Sequence, residues 1–162
     1  MVRLTIFTAL ATLVVLSTTT ALTFDDDVRI RNRKEGGWLN GRDTPKFAPI
    51  VVEEKPAGAF GVWAIRDADE ESHFFYNKGS SFPVLPTNQE RQVMTSGVRI
   101  VPSYLRLESV DVSGYHIKDV KTSLYWTRVD NEVFLRPLDP SDDNQIWDFL
   151  LRGFDDEFAF WE

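Results

Sequence analysis

The chain has 162 residues, a formal net charge of −7 and no cysteine. An acidic surface repels phosphate backbones, which argues against nucleic acid as a partner. Without thiols there is no disulfide framework and no thiolate nucleophile, so packing alone must hold the fold. Aromatic residues make up 13% of the sequence and include five tryptophans; each one buried removes about 150–250 Å2 from water.

Arg3 precedes an uncharged apolar run, Leu4 to Leu16, and Thr19-Thr20-Ala21 follows with small residues. This is the pattern of a signal peptide over residues 1–21, cleaved near Ala21, and the expected destination is secretion. The run is shorter than the ~17–25 residues of a membrane span, so no membrane association is expected after cleavage; a retained anchor is the alternative. Removing Arg3 and no acid takes the charge from −7 to −8. Residues 22–162 suffice for one domain with its own core, expected to be a monomer. No Asn-x-Ser/Thr sequon is present, so N-glycosylation is not expected.

Asp25-Asp26-Asp27 reads as a solvated turn, because a calcium loop needs its ligands spaced along the chain. Short apolar runs then alternate with polar turns. Val28-Arg29-Ile30, Gly37-Trp38-Leu39, Val51-Val52 and Trp63-Ala64-Ile65 form the first set, ending near Asp69. Lys34-Glu35-Gly36-Gly37 carries the glycines of a tight hairpin. Asn40 to Pro49 is the longest loop, stiffened by Pro45 and Pro49. The second set is less regular: His73–Tyr76, Phe82–Val84, Gln92–Met94 and Leu105–Leu107, with Val98–Val101 as a competing strand. Asn88 to Gln92 is the one helical candidate, too short to stand alone.

Tyr115-His116-Ile117, Leu124-Tyr125-Trp126, Val133-Phe134-Leu135 and Ile146–Phe149 repeat the cadence of the first set. Trp147 answers Trp63, each beyond a loop containing a proline, Pro140 or Pro56. The tail from Gly153 to Glu162 is acidic and aromatic, and either folds back or frays. A four-strand unit of about forty residues, seen twice with room for a third, is a repeat architecture. The expected fold is all-β: a β-trefoil of three four-stranded repeats, with a six-stranded barrel and a hairpin cap.

Catalytic chemistry is hard to find. His73 and His116 sit in strand-like runs flanked by aromatics and read as surface or strand-edge imidazoles. Zinc-ligand spacing and a glycine-rich phosphate loop are absent, and adjacent acids such as Asp142-Asp143 carry no division of labour. Neither an enzyme nor a cofactor or metal is expected, which leaves binding through a loop on a rigid scaffold.

Two resemblances bear on the partner. Gln145-Ile146-Trp147 resembles the Gln-x-Trp triplet of ricin-type lectin trefoils and implies carbohydrate binding. It occurs once, since the first repeat has Gly61-Val62-Trp63, and both tryptophans equally fit a core role. The first hairpin (Val28-Arg29-Ile30 with Glu35-Gly36-Gly37-Trp38-Leu39-Asn40-Gly41-Arg42), Val62–Ile65, and the run from Tyr115 through Val133–Leu138 to Asn144–Phe149 resemble the fungal β-trefoil serine protease inhibitors. That likeness implies inhibition of a trypsin-like endopeptidase through the loop between the second and third strands. Here this loop holds Arg42, Asp43, Pro45 and Lys46. A trypsin specificity pocket pairs its aspartate with arginine or lysine, and prolines lower the entropy lost on docking. Asp43 is also placed to neutralise Arg42 locally. The loop Asp139–Asn144, a second inhibitory loop in some relatives, is acidic here and a poor guest for that pocket.

Overall fold

The structure, a computed structural model, describes residues 27–43, 46–85, 91–98 and 101–151. The expected signal segment 1–21 and the acidic-aromatic tail lie outside the described residues, as do Asp25, Asp26, Pro45, Arg99, Ile100 and most of the helical candidate. Thirteen strands follow in chain order: β1 (Asp27–Asn32), β2 (Trp38–Asn40), β3 (Phe47–Pro49), β4 (Val51–Glu53), β5 (Trp63–Asp67), β6 (His73–Asn77), β7 (Val84–Leu85), β8 (Met94–Ser96), β9 (Leu105–Ser109), β10 (Gly114–Asp119), β11 (Leu124–Val129), β12 (Glu132–Arg136) and β13 (Trp147–Leu151). Two 3-10 turns, Gly58–Gly61 and Asp143–Gln145, are the only helical segments among the described residues.

Six strands close a barrel. β1 pairs with β5, β5 with β6, β6 with β9, β9 with β10, β10 with β13 and β13 with β1, all antiparallel. Long and short pairings alternate: β5–β6, β9–β10 and β13–β1 register five residue pairs each, the other three only one or two. Each repeat therefore pairs its last strand fully with the first strand of the next, and closure leaves the barrel no free edge. Pairs β2–β4, β7–β8 and β11–β12 form the cap. Backbone bonds join them, Val52 N–H donating to the Asn131 carbonyl and Val93 N–H to that of Val133, both at 2.8 Å. The molecule is a β-trefoil.

Strand periodicity fills the centre. On β1, Val28, Ile30 and Asn32 are buried while Arg29 and Arg31 point the other way. Ile30, Ile65, Phe75, Leu105 and Ile117 meet Leu39, Val52, Trp126, Val133 and Leu135 from the cap in one cluster. Trp63 and Trp147 are fully buried at equivalent positions. Their indole N–H groups donate to the carbonyls of Leu39 (2.9 Å) and Trp126 (3.1 Å), so neither is left unpaired in the core.

A threefold turn follows the first strand of each repeat. Gly36, Ser81 and Ser123 donate their N–H to the carbonyls of Asn32, Asn77 and Asp119 at 3.0, 2.8 and 2.9 Å. All three donors have left-handed backbone, with φ of 69°, 62° and 57°. The buried acceptor side chains take part as well: Asn77 Oδ1 accepts from the Ser80 N–H and Asp119 Oδ1 from the Thr122 N–H.

Several sequence expectations need correction. Asp27 belongs to β1, opposite Ala64 and ion-paired with Lys78 at 3.1 Å, because backbone pairing with β5 extends past the apolar run. The Asn40–Pro49 segment is only partly loop: Phe47–Pro49 pairs with β8, which also pairs with β7, making a separate three-stranded sheet. That pairing sets Phe47 opposite Ser96, so the strand expected at Gln92–Met94 lies at Met94–Ser96. The strand expected at Phe82–Val84 is β7, with Pro83 only bridging Tyr76, while Val98 and Val101 lie outside strands.

Candidate functional site

The cap is where the threefold framework is broken. In the third repeat, β11 and β12 are joined through Asp130 and Asn131, directly after the Val129–Glu132 pair. The first repeat uses residues 41–50 for the same connection. A long insertion on a symmetric scaffold is a place where binding residues collect.

Both feet of this insertion are fixed. Asn40 is fully buried; its side-chain oxygen accepts from Ala57 N–H at 2.9 Å and its Nδ2 donates to the Lys55 carbonyl at 3.1 Å. Gly41 N–H donates to the Phe60 carbonyl at 2.8 Å. A Cβ at Gly41 would stand 2.5 Å from the Asn77 side chain, so glycine alone allows this approach. At the other foot, the Lys46 carbonyl accepts from Gly97 N–H at 2.9 Å, β3 is held by β8, and Ile50 N–H donates to the Val93 carbonyl at 3.1 Å.

Arg42, Asp43 and Lys46 are all exposed between these anchors. Arg42 Nη2 donates to Glu53 Oε1 at 3.1 Å, and the two side chains are 50% and 40% exposed. The partner of the guanidinium is thus Glu53, across the hairpin, rather than its sequence neighbour Asp43. Glu53 Oε2 also accepts from Asn40 Nδ2 at 2.8 Å. Lys46 has no ion-pair partner among the described residues. Its carbonyl is already engaged by Gly97, whereas no such backbone bond holds the Arg42 carbonyl among the described residues. Sequence reasoning gathered Asn40, Gly41, Arg42, Asp43 and Lys46 into this loop but missed Glu53 and the anchoring role of Asn40 and Gly41. The Asn40-Gly41 pair was the available signal, a buried amide followed by a residue with no side chain.

The other expected features lie elsewhere. Gln145 is buried, its Nε2 donating to Thr127 Oγ1 and the Pro137 carbonyl, both at 2.8 Å, and its Oε1 accepting from Asp139 N–H at 2.8 Å. The triplet Gln145-Ile146-Trp147 therefore ties a loop to the core. Asp139 in turn accepts from Ser141, which holds its carboxyl below the usual range. Next to this loop is an open groove of about 650 Å3 lined by Glu35, Thr127, Arg128, Asp130, Asn131 and Asn144 among others, without an aromatic side chain. His73 Nδ1 lies 3.0 Å from Asp67 Oδ1. Burial pushes the His116 imidazole below its usual value, against an opposing pull from Glu108. Among the described residues no cluster of histidine, aspartate and glutamate is arranged to hold a metal ion.

No protein-family model and no curated protein sequence matches the chain. Solved structures do. The designed threefold-symmetric protein ThreeFoil is similar at a TM-score of 0.68 and 13% identity, covering 76% of this chain and 97% of its own. A proteinase inhibitor from Coprinopsis cinerea is similar at 0.65 and 16%, covering 78% and 97%. SeviL, solved bound to the asialo-GM1 saccharide, is similar at 0.63 and 13%, covering 78% and 98%. At these identities the likeness shows the shared β-trefoil fold, common to an inhibitor and a saccharide-bound protein alike.

Proposed function

We propose that this chain is a secreted, non-enzymatic inhibitor of trypsin-like serine endopeptidases that offers Arg42 to the specificity pocket of the enzyme. One observation carries the reading: an insertion anchored at both feet presents exposed cations on a chain whose net charge is −7. Anchored feet limit the conformational entropy lost on docking, the main cost for a loop that must fit a rigid cleft. Leaving Glu53 costs Arg42 about 0–1 kcal/mol, the worth of an exposed ion pair. Removing the guanidinium by mutation once it is buried against a pocket carboxylate costs about 2–5 kcal/mol, much of it the penalty of leaving that carboxylate unpaired. The loop's own ion pair is thus a small obstacle to docking.

Arg42 is preferred to Lys46 because an inhibitory residue must also lend its carbonyl to the oxyanion hole of the protease. The Lys46 carbonyl is already bonded to Gly97. Asp43, Pro45 and Lys46 are then the flanking part of the docking surface. The reading is tested by titrating trypsin with the purified chain lacking residues 1–21: near-stoichiometric, reversible inhibition is expected. Arg42→Ala should weaken it by about 2–5 kcal/mol, and Lys46→Ala by less. Equal inhibition by parent and both variants would place the inhibitory surface elsewhere.

A second reading, saccharide binding, is favoured by the open groove beside the Asp139–Gln145 loop, whose carboxylates, amides and Arg128 match the hydrogen-bonding needs of hydroxyl groups. It draws no support from the Gln-x-Trp triplet, because Gln145 and Trp147 are spent on the core. A glycan array separates the two readings: reproducible binding to one sugar class without protease inhibition reverses their order.

A further inference from the structure

We infer that Glu53 is a specificity-determining latch on the inhibitory loop, holding the Arg42 guanidinium against the scaffold and releasing it only to a partner that offers a better carboxylate. The inference rests on the proposed role of Arg42. Its geometry is a relay of three side chains. Buried Asn40 donates to Glu53 Oε2 at 2.8 Å, and Glu53 Oε1 accepts from Arg42 Nη2 at 3.1 Å. Asn40 is itself fixed by Lys55 and Ala57, so the carboxylate is oriented from the core side and cannot follow the arginine outward. Glu53 sits on β4 opposite Trp38, in the cap framework, not on the inserted loop. A docking protease must therefore break the ion pair rather than carry it along.

The latch has a consequence for selectivity. A deep pocket with its own carboxylate repays the lost pair. A shallow or apolar pocket leaves Glu53 without its cation and gains nothing in return, so such proteases bind more weakly, by a factor of up to about five. Lys46, with no such partner among the described residues, adds charge without this filter.

The test uses Glu53→Gln, which has nearly the shape of the parent and keeps an oxygen for Asn40 while removing the charge facing Arg42. Two measurements are made on parent and variant: the inhibition constant against trypsin, and the rate at which phenylglyoxal labels Arg42, followed by peptide mass mapping. An exposed ion pair corresponds to a factor of up to about five. Glu53→Gln is expected to tighten inhibition and to speed labelling, each about two- to fivefold. Raising the salt concentration should speed labelling of the parent and leave the variant unaffected, because screening weakens the pair; this arm needs no mutant to fold. Faster labelling with no inhibition by either protein would uphold only the restraint that Glu53 places on Arg42, and would reject the inhibitor reading together with the role of the latch in specificity. Inhibition by the parent that is unchanged or weakened by Glu53→Gln would reject the latch and keep the inhibitor. Labelling that responds neither to the mutation nor to salt would reject it as well.

Discussion

At the scale of single residues, the first and third repeats solve one problem by different means. Each must satisfy a loop carbonyl and an N–H two residues later. In the third repeat Gln145 does so, bonding the Pro137 carbonyl and Asp139 N–H. In the first repeat the same place in the triplet is Gly61, and Asn40 on the second strand bonds the Lys55 carbonyl and Ala57 N–H. A Cβ at Gly61 would lie 2.7 Å from Asn40 Oδ1, so the Asn40 amide occupies the space that a side chain at position 61 would need. This explains why the triplet appears once in the sequence although its task is performed twice. Gln145→Ala should cost about 2–4 kcal/mol, since it leaves Asp139 N–H and the Pro137 carbonyl unpaired and opens a cavity. Urea unfolding reads that loss as a lower midpoint at constant slope. Adding Thr127→Asn, the counterpart of Asn40, should recover part of it; no recovery would mean that the two repeats are not interchangeable at this position.

At the scale of elements, the turn after each first strand is the clearest threefold feature. Glycine takes the left-handed position in the first repeat and serine in the other two. Left-handed backbone costs a residue with a Cβ about 1–2 kcal/mol, while glycine gives back about 0.5–1 kcal/mol in chain entropy. Gly36→Ala should therefore destabilise by up to about 1.5 kcal/mol, and Ser123→Gly should be neutral or stabilising by up to about 1.5 kcal/mol; paired urea melts decide both. A substantial destabilisation by Ser123→Gly would show that the serine side chain holds the turn. The strands of the first and third repeats were legible because their apolar residues alternate and glycine, asparagine or aspartate fills the turns between them. β3 was not, because Phe47–Pro49 is a strand only by virtue of β8, far along the chain, and its proline and short length read locally as loop. The second repeat was shifted for the same reason. The loop carrying Arg42 and Lys46 was legible as a basic, proline-bearing insertion. Glu53 was not legible as its partner, since that contact depends on the β2–β4 register that sets Trp38 opposite Glu53.

For the whole molecule, the critical seam is where the first repeat meets the third, because the chain must close the barrel there with strands from its two ends. Arg33, just past β1, spans that seam. Its guanidinium bonds Asp148 on β13 and forks onto Asp111 with contacts of 2.6 and 3.1 Å. Gly114 makes room, since a Cβ there would collide with the guanidinium. Arg33 holds the Asp111 carboxyl well below the usual carboxylate range, with help from the N–H groups of Gly114 and Ser113. The two carboxylates raise the arginine in turn. An acid depressed on folding adds stability that is fully present above its unfolded pKa, near 3.9 for aspartate, and is lost as pH falls below that value through the folded one. The stability of the parent should thus decline progressively below about pH 4. Asp69 and Asp139 are also depressed, chiefly by hydrogen bonds from Ser72 and Ser141, and contribute to the same decline. Arg33→Met isolates the clamp, because it keeps the aliphatic reach and leaves those two acids untouched. The variant should be less stable than the parent at pH 7, and the gap should narrow steadily as the pH is lowered from 4 to 2. A gap of constant size across that range would mean that Arg33 serves the seam by packing alone.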